Sequence, residues 1–492
     1  MFISTSMDIL YILLLIAGGY CILLFFDFFF KSCAHYPYLH LLDGLGLKIS
    51  YFSINWKTKA LNRLIIKWGN TKPLFWRTWF DIGIISSLLF FPITLYLLVV
   101  NILDLFLSSS TTAQPLITPI IPGVNLPVSE VGYYGITLLI CTVVHEFGHA
   151  FAATLEDVGV LEFGCNIYFI IPVAYVSLNS ENLPAIKLRQ QLRIFTAGIW
   201  HNIVLACVVY LLYCSLPSIF STFFEYGNGV SVSKIMPHSP LRDPSKGLSE
   251  GDVITAINNC DIRDENDWYN CLSNTIILIP AVCIQSDFVH TRDESVPLKH
   301  LGAGFVECCD PKNTKNLCFE FIDTENNELA LPGHVCLPGR ITMEHSIVFC
   351  TESPHSCSSD MYCFKPILPN NTYLLKMISK TKNVIYIGHP TDLFQTIEIS
   401  SYISKTNIFS IQLPNIVTKL VKYIVIISLG LAFLNIQPVK SMDGQYILSA
   451  LGLLIFKNKF SNRQIIQTSN VITWITTILL TTYLIYSFIL ML

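Results

Sequence analysis

Residues 131–155 read VGYYGITLLICTVVHEFGHAFAATL. A run of this length crosses the roughly 30 Å hydrocarbon core of a bilayer as one helix. Yet it holds three titratable side chains within five positions, His145, Glu146 and His149. At membrane depth such groups cost about 3 kcal/mol or more unless they are paired or ligating, so they mark function by default. On a helix, positions i and i+4 share a face. The two imidazoles of an H-E-x-x-H therefore bind one metal ion, and the Glu between them reaches the attacking water. With 12 His in 492 residues, about 0.01 such matches are expected by chance. The expected ion is a single zinc, which needs a third protein ligand and an open position.

The rest of the chain suits a membrane setting. Hydrophobic residues make up 52% and charged residues 13%, against about 25% charged in a soluble domain, and mean hydropathy is +0.53. So few charges cannot cover a soluble globule, and the apolar content excludes a disordered chain. A net charge of -3 with no basic run argues against a nucleic-acid partner. The fold class that remains is a mainly α polytopic bundle of transmembrane helices. Charge-free runs at 9–26, 82–103, 194–216, 423–439 and 471–492 supply further spans. Pro92 leaves 82–106 readable as a span or a hairpin, and 443–456 is too short to cross unaided. Residues 9–26 lack a basic leader and a small-residue cleavage site, and read as a retained signal anchor.

Charge and cysteine usage orient the chain. Residues 31–77 hold eight Lys/Arg and one acid, Asp43, which places that polar loop in the cytosol. Counting spans then puts 217–413 on the opposite side. That stretch contains ten of the sixteen cysteines and the sequon Asn370-Asn371-Thr372. An even cysteine count with a sequon predicts a disulfide-bonded luminal domain, glycosylated at Asn370; a zinc cluster would want C-x-x-C pairs, and none occurs. Residues 158–178 (VGVLEFGCNIYFIIPVAYVSL) are interrupted by Gly159, Gly164 and Pro172, which favours a membrane-embedded β-hairpin over a helix. Backbone of that kind is tolerated only when shielded by protein or a wet cavity. The expected organisation is N-terminal spans in 1–106, a catalytic membrane core in 131–216, the luminal domain in 217–413 and C-terminal spans in 414–492.

A third ligand should come from another span. Asp443 fits, in Asn435-x-x-Pro438-x-x-x-x-Asp443-Gly444 at the mouth of an apolar stretch. Pro438 and Gly444 would break the helix there and aim the carboxylate.

Together, these motifs resemble the site-2 protease family of intramembrane zinc metalloproteases. His145-Glu146-Phe147-Gly148-His149 and Asn435…Pro438…Asp443-Gly444 match its two metal-binding motifs. Gly198-x-x-x-Asn202, Trp56-x-Thr58-x-x-x-Asn62-Arg63 and Leu248-x-x-Gly251-Asp252 extend the likeness, while Met442 stands where the family often has Leu. The resemblance implies His145, His149 and Asp443 as ligands of one zinc, and Glu146 as the catalytic base. It implies Asn202 as a substrate or oxyanion contact, with an interhelical hydrogen bond as the alternative; His201 beside it could line the site. By the same resemblance the substrates are single-span, membrane-tethered transcription factor precursors. They are cut in the membrane after a first luminal cleavage, in the Golgi or endoplasmic reticulum, with sterol and stress signalling as the context. No soluble small-molecule substrate is expected. Residues 228–258 resemble the start of a PDZ domain, with a cysteine-rich insertion at about 274–385 and closing strands in 386–400.

Readings from other classes are a catalytically inactive scaffold or transporter that binds metal, and a zinc endopeptidase of the prenyl-protein type. The spans show no inverted halves of the kind transporters use, and all four residues of the catalytic set are present.

Overall fold

The computed structural model describes residues 2–491 other than 70, 108–126, 128–129, 170, 180, 244–245, 278–280, 303–304, 314, 323–332, 347, 351–356, 359, 370 and 407. Asn370 therefore lies outside the described residues. Among the described residues, six helices are long and apolar enough to cross a membrane. The chain divides into two compact units, Met1–Cys214 with Lys419–Leu492, and Ser215–Thr418.

The first unit opens with α1 (Phe2–Ser32), α2 (Tyr36–Leu45), β1 (Leu47–Ser50), β2 (Ser53–Thr58), α3 (Asn62–Gly69) and α4 (Pro73–Leu107). It continues with α5 (Val131–Leu155), β3 (Val160–Tyr168), β4 (Ile171–Leu178) and α6 (Leu188–Phe220). α4 runs through Pro92 as one helix, so the hairpin alternative for 82–106 falls. A membrane helix tolerates the lost N–H because neighbouring groups compensate for it. α5 stops where Asp157 turns into the left-handed region, at φ 59°.

The expected hairpin is present as β3 and β4, but it is half of a larger sheet. β2 pairs along the other edge of β3, from Ser53 opposite Tyr168 to Thr58 opposite Phe163. β1 lies beyond it, so four antiparallel strands run in the order β1-β2-β3-β4. Residues 47–58 are thus sheet, where the sequence suggested only a polar loop. Strands of four and six residues carrying Lys, Ser and Asn have little propensity of their own and exist through their pairing. Two tethers hold this sheet. The Tyr20 hydroxyl of α1 donates to the Phe169 carbonyl at the hairpin tip (2.9 Å). The Asn62 amide donates to the carbonyls of Val160 (3.0 Å) and Leu161 (3.1 Å) at the start of β3.

The second unit contains β5 (Phe224–Ile235), β6 (Val253–Ile257), β7 (Cys260–Asp261), α7 (Glu265–Ile277), β8 (Ala281–Gln285) and α8 (Ser286–Arg292). β9 (Lys299–Gly302), β10 (Phe305–Glu307), β11 (Asn316–Phe321), β12 (His334–Pro338), α9 (Gly339–His345) and β13 (Phe349–Cys350) follow. β14 (Met361–Ile367), β15 (Tyr373–Ser379), β16 (Asn383–Gly388), α10 (Pro390–Thr396) and β17 (Ile397–Ser404) complete it. One sheet runs β16-β15-β6-β5-β17 with β7 beside β6; a second runs β12-β11-β14-β8-β13; β9 and β10 form a ribbon. The turn between β5 and β6 explains Leu248-x-x-Gly251-Asp252. Gly251 adopts φ 96°, and the Ser249 N–H donates to the Asp252 carboxylate (2.8 Å). The cysteine-rich sheet spans 281–367. Residues 373–385, expected within the insertion, belong to the first sheet instead, because Leu375, Met377 and Val384 complete its core around Trp268.

All ten cysteines of this unit are paired: Cys260–Cys271, Cys283–Cys357, Cys308–Cys318, Cys309–Cys336 and Cys350–Cys363. The free ones, Cys21, Cys33, Cys141, Cys165, Cys207 and Cys214, all lie in the first unit.

The chain then returns to the first unit through α11 (Leu413–Ile436), the short α12 (Asp443–Phe456) and α13 (Asn462–Met491). One core joins Ile84 of α4, Leu192 and Ile199 of α6, Ala432 and Ile436 of α11, and Ile447 of α12. Another joins Ile65, Phe80, Phe151, Phe163 and Ile194. Peptide mapping without reductant is expected to return the five links above and six alkylatable thiols; a free thiol among the ten would contradict the pairing.

Candidate active site

α5 presents His145 and His149 one turn apart, and α12 contributes Asp443 as its first residue. The two Nε2 atoms are 3.1 Å apart, and each lies 3.1 Å from Asp443 Oδ2. Both imidazoles are buried, 5% and 7% exposed. Three lone-pair donors in an equilateral triangle repel one another and cannot all be satisfied by hydrogen bonds. A cation at their centre resolves this. A tetrahedral zinc with bonds of about 2.0–2.1 Å has ligand–ligand edges of about 3.3 Å, close to the triangle seen. The residues present therefore fit such an ion, with a fourth position left for water or substrate.

The outer nitrogens set the tautomers. His149 Nδ1 donates to the Ile194 carbonyl of α6 (2.7 Å), which leaves Nε2 unprotonated toward the centre. His145 Nδ1 lies 3.2 Å from the side-chain amide of Asn202. The amide oxygen of Asn202 has no other hydrogen-bond partner. An amide orientation with that oxygen accepting from Nδ1–H gives His145 the same tautomer. Asn202 is fully buried, so it touches the imidazole and not an open cleft. The contact bridges α5 and α6, the interhelical hydrogen bond that the sequence offered as the alternative. His201 Nδ1 bonds the Ala197 carbonyl (2.8 Å), and its ring packs beside Phe80.

Glycine makes room for the triangle. A Cβ on Gly198 would lie 2.4 Å from His149 Nε2 and 2.6 Å from His145 Nε2. One on Gly148 would lie 2.7 Å from the Ala197 carbonyl, and one on Gly444 would lie 2.1 Å from the Gln437 carbonyl. α5 and α6 thus approach through small residues, as membrane helices do, and the break before α12 is tight enough to turn Asp443 inward.

Glu146 points at the sheet. Its Oε2 accepts from the Val176 N–H of β4 (2.9 Å). One turn earlier, Thr142 Oγ1 accepts from the Ala174 N–H (3.3 Å). These N–H groups face away from β3, so β4 is the outer strand and this edge meets the helix that carries the histidines.

A charged cluster near the site was not apparent in the sequence. Arg193 forks onto both oxygens of Asp81 (2.7 and 2.8 Å) and donates to Glu156 (2.6 Å). Arg189 also reaches Asp81 (2.9 Å), and Gln190 reaches Glu156 (2.6 Å). The cluster ties α4, the end of α5 and α6 together, one residue before the Ile194 carbonyl that holds His149. Its members lie far apart in sequence; the only hint was charge at the ends of apolar runs.

A metallopeptidase within a multi-pass membrane protein is the class these features define. The chain belongs to peptidase family M50, whose model matches residues 133–480. It is similar to an Arabidopsis thaliana protein described as a membrane-bound transcription factor site-2 protease homolog, at 24% identity, covering 80% of this chain and 84% of the relative. The resemblance to the site-2 protease family is thereby borne out.

The Gly198→Ala variant should push both imidazoles out of place. Metal retained after dialysis against a chelator is expected to fall about tenfold or more, with helix content by circular dichroism unchanged.

Proposed function

We propose that this chain is an intramembrane zinc endopeptidase of the site-2 type. It cleaves a transmembrane segment of membrane-tethered transcription factor precursors after a first luminal cut and so releases their cytosolic domains. The observation that carries this reading is the His145–His149–Asp443 triangle with Glu146 beside it. The description of the Arabidopsis relative supports the substrate class.

His145, His149 and Asp443 would hold the zinc. When bound, the ion supplies a Lewis acid that makes water nucleophilic near neutral pH and polarises the scissile carbonyl. Glu146 takes the proton released as water attacks and delivers it to the departing amine. Asn202 and the Ile194 carbonyl keep the imidazoles in the ligating tautomer.

A helical substrate has its carbonyls hydrogen-bonded and covered, so it must unwind first. The outer edge of β4 replaces the lost hydrogen bonds by pairing with the unwound strand. Residues 217–413 form the luminal domain, PDZ-like with its cysteine-rich insertion and glycosylated at Asn370, and admit only precursors already trimmed. The setting is the Golgi or endoplasmic reticulum membrane, where the substrates carry sterol and stress signals.

Two experiments test this. Glu146→Gln is expected to keep about one zinc per chain and lose at least about a hundredfold in cleavage of a trimmed single-span precursor, whereas Asp443→Asn loses metal and cleavage together. Cleavage by Glu146→Gln at the wild-type rate would exclude Glu146 as the base. Ala174→Pro deletes an N–H that makes no ladder bond and is accepted by Thr142 of α5, from which an incoming strand would take it over. It should lower cleavage about tenfold or more with zinc unchanged, because one strand-pairing donor is lost; unaltered cleavage would remove β4 from substrate binding.

A further inference from the structure

A cavity of about 280 Å³ opens between α12 and α13, just below the range of about 300–1,000 Å³ typical of small-ligand pockets. Leu448, Phe456, Phe460 and Ile472 give it apolar walls, and Gln464 and Thr468 add a polar margin. The two helices meet closely at Gly452, where a Cβ would lie 2.9 Å from Ile465. At a rise of about 1.5 Å per residue, the far end of α12 is about 20 Å from Asp443.

Basic residues stand next in the chain to three of the lining residues, Phe456, Phe460 and Gln464. The turn after α12 and the first residues of α13, together 457–463, carry Lys457, Lys459 and Arg463, all exposed. No Asp or Glu occurs anywhere in 444–492. Among the described residues, none of the three cations forms an ion pair. An apolar slot between membrane helices, with basic residues on the adjoining turn and helix start, combines the two halves of a phospholipid site: room for an acyl chain and charge for a phosphate.

We propose that the α12–α13 cavity binds one anionic glycerophospholipid. Its acyl chain lies against Leu448, Phe456 and Ile472, and its phosphate meets Lys457, Lys459 and Arg463. The charge argument selects the occupant. A zwitterionic lipid fills the slot equally well but gains little from three unpaired cations. An acidic peptide meets the cations but has no use for the slot. The excess of Lys and Arg at this turn also favours the cytosolic face, whose leaflet holds the anionic lipids. α12 opens on Asp443, so the lipid packs against the helix that carries the third donor.

The test uses the detergent-solubilised full chain, with bound lipid counted by native mass spectrometry. Dioleoyl phosphatidylserine and dioleoyl phosphatidylcholine are titrated separately. Phosphatidylserine is expected to saturate one site at about tenfold lower concentration than phosphatidylcholine, since each basic residue contributes to attraction. The triple variant Lys457→Gln, Lys459→Gln, Arg463→Gln should bring the two lipids to equal affinity. Thr468→Phe, at an exposed position on the cavity margin, should displace both. Equal binding of the two lipids by the wild type overturns the proposal. So does a Thr468→Phe variant that still binds phosphatidylserine like the wild type, because the cations alone would then account for the attraction.

Discussion

Ionisable side chains in a low-dielectric interior are costly unless each finds a partner, and the membrane unit is organised around three that converge. His145, His149 and Asp443 leave no donor atom of their triangle without a close neighbour. Holding three such groups at 3.1 Å demands close helix approach, which is why Gly148, Gly198 and Gly444 stand where any Cβ would collide. It also demands fixed tautomers, which the Ile194 carbonyl supplies for His149 and the Asn202 amide, with its oxygen turned to Nδ1, supplies for His145. The Arg193–Asp81–Glu156 cluster extends the same logic: buried charges are kept only with their counterparts, and removing one partner is what destabilises.

A second constraint is backbone satisfaction. Strands beside membrane helices need every N–H and C=O accounted for. β3 meets this by lying between β2 and β4. β4 meets it partly through α5, whose Thr142 and Glu146 accept from Ala174 and Val176. The carboxylate of the H-E-x-x-H is therefore bonded to a strand edge. On the proposed reading, an extended substrate segment competes with Glu146 for the Val176 N–H, so strand docking and release of the base become one event.

Much of this was legible in local pattern. Long charge-free runs announce helices because length and hydropathy alone decide whether a segment crosses. H-E-x-x-H places two imidazoles on one face through helical periodicity, and Asp443 stands out because a carboxylate in an apolar stretch is improbable without a partner. The Gly159, Gly164 and Pro172 interruptions betray the hairpin. The misses share a cause. β1 and β2 are short and polar, and only their pairing with β3 makes them strands. Residues 373–385 lie beyond the cysteine-rich stretch in the chain but return to an earlier core. Arg193, Asp81 and Glu156 meet only when three helices pack.

The sequence by itself determined the apolar runs, the donor types and the peptidase motif, because hydropathy, helix periodicity and the cost of buried charge act over a few residues; it left 82–106 open between span and hairpin. Tertiary structure supplied the geometry, bringing Asp443, already expected as the third ligand, to 3.1 Å from both imidazoles and setting Asn202 beside His145. It alone showed that the edge of β4 meets Glu146 and which cysteines pair. Those outcomes depend on contacts between segments up to 294 residues apart, whose geometry is set by packing and not by local pattern.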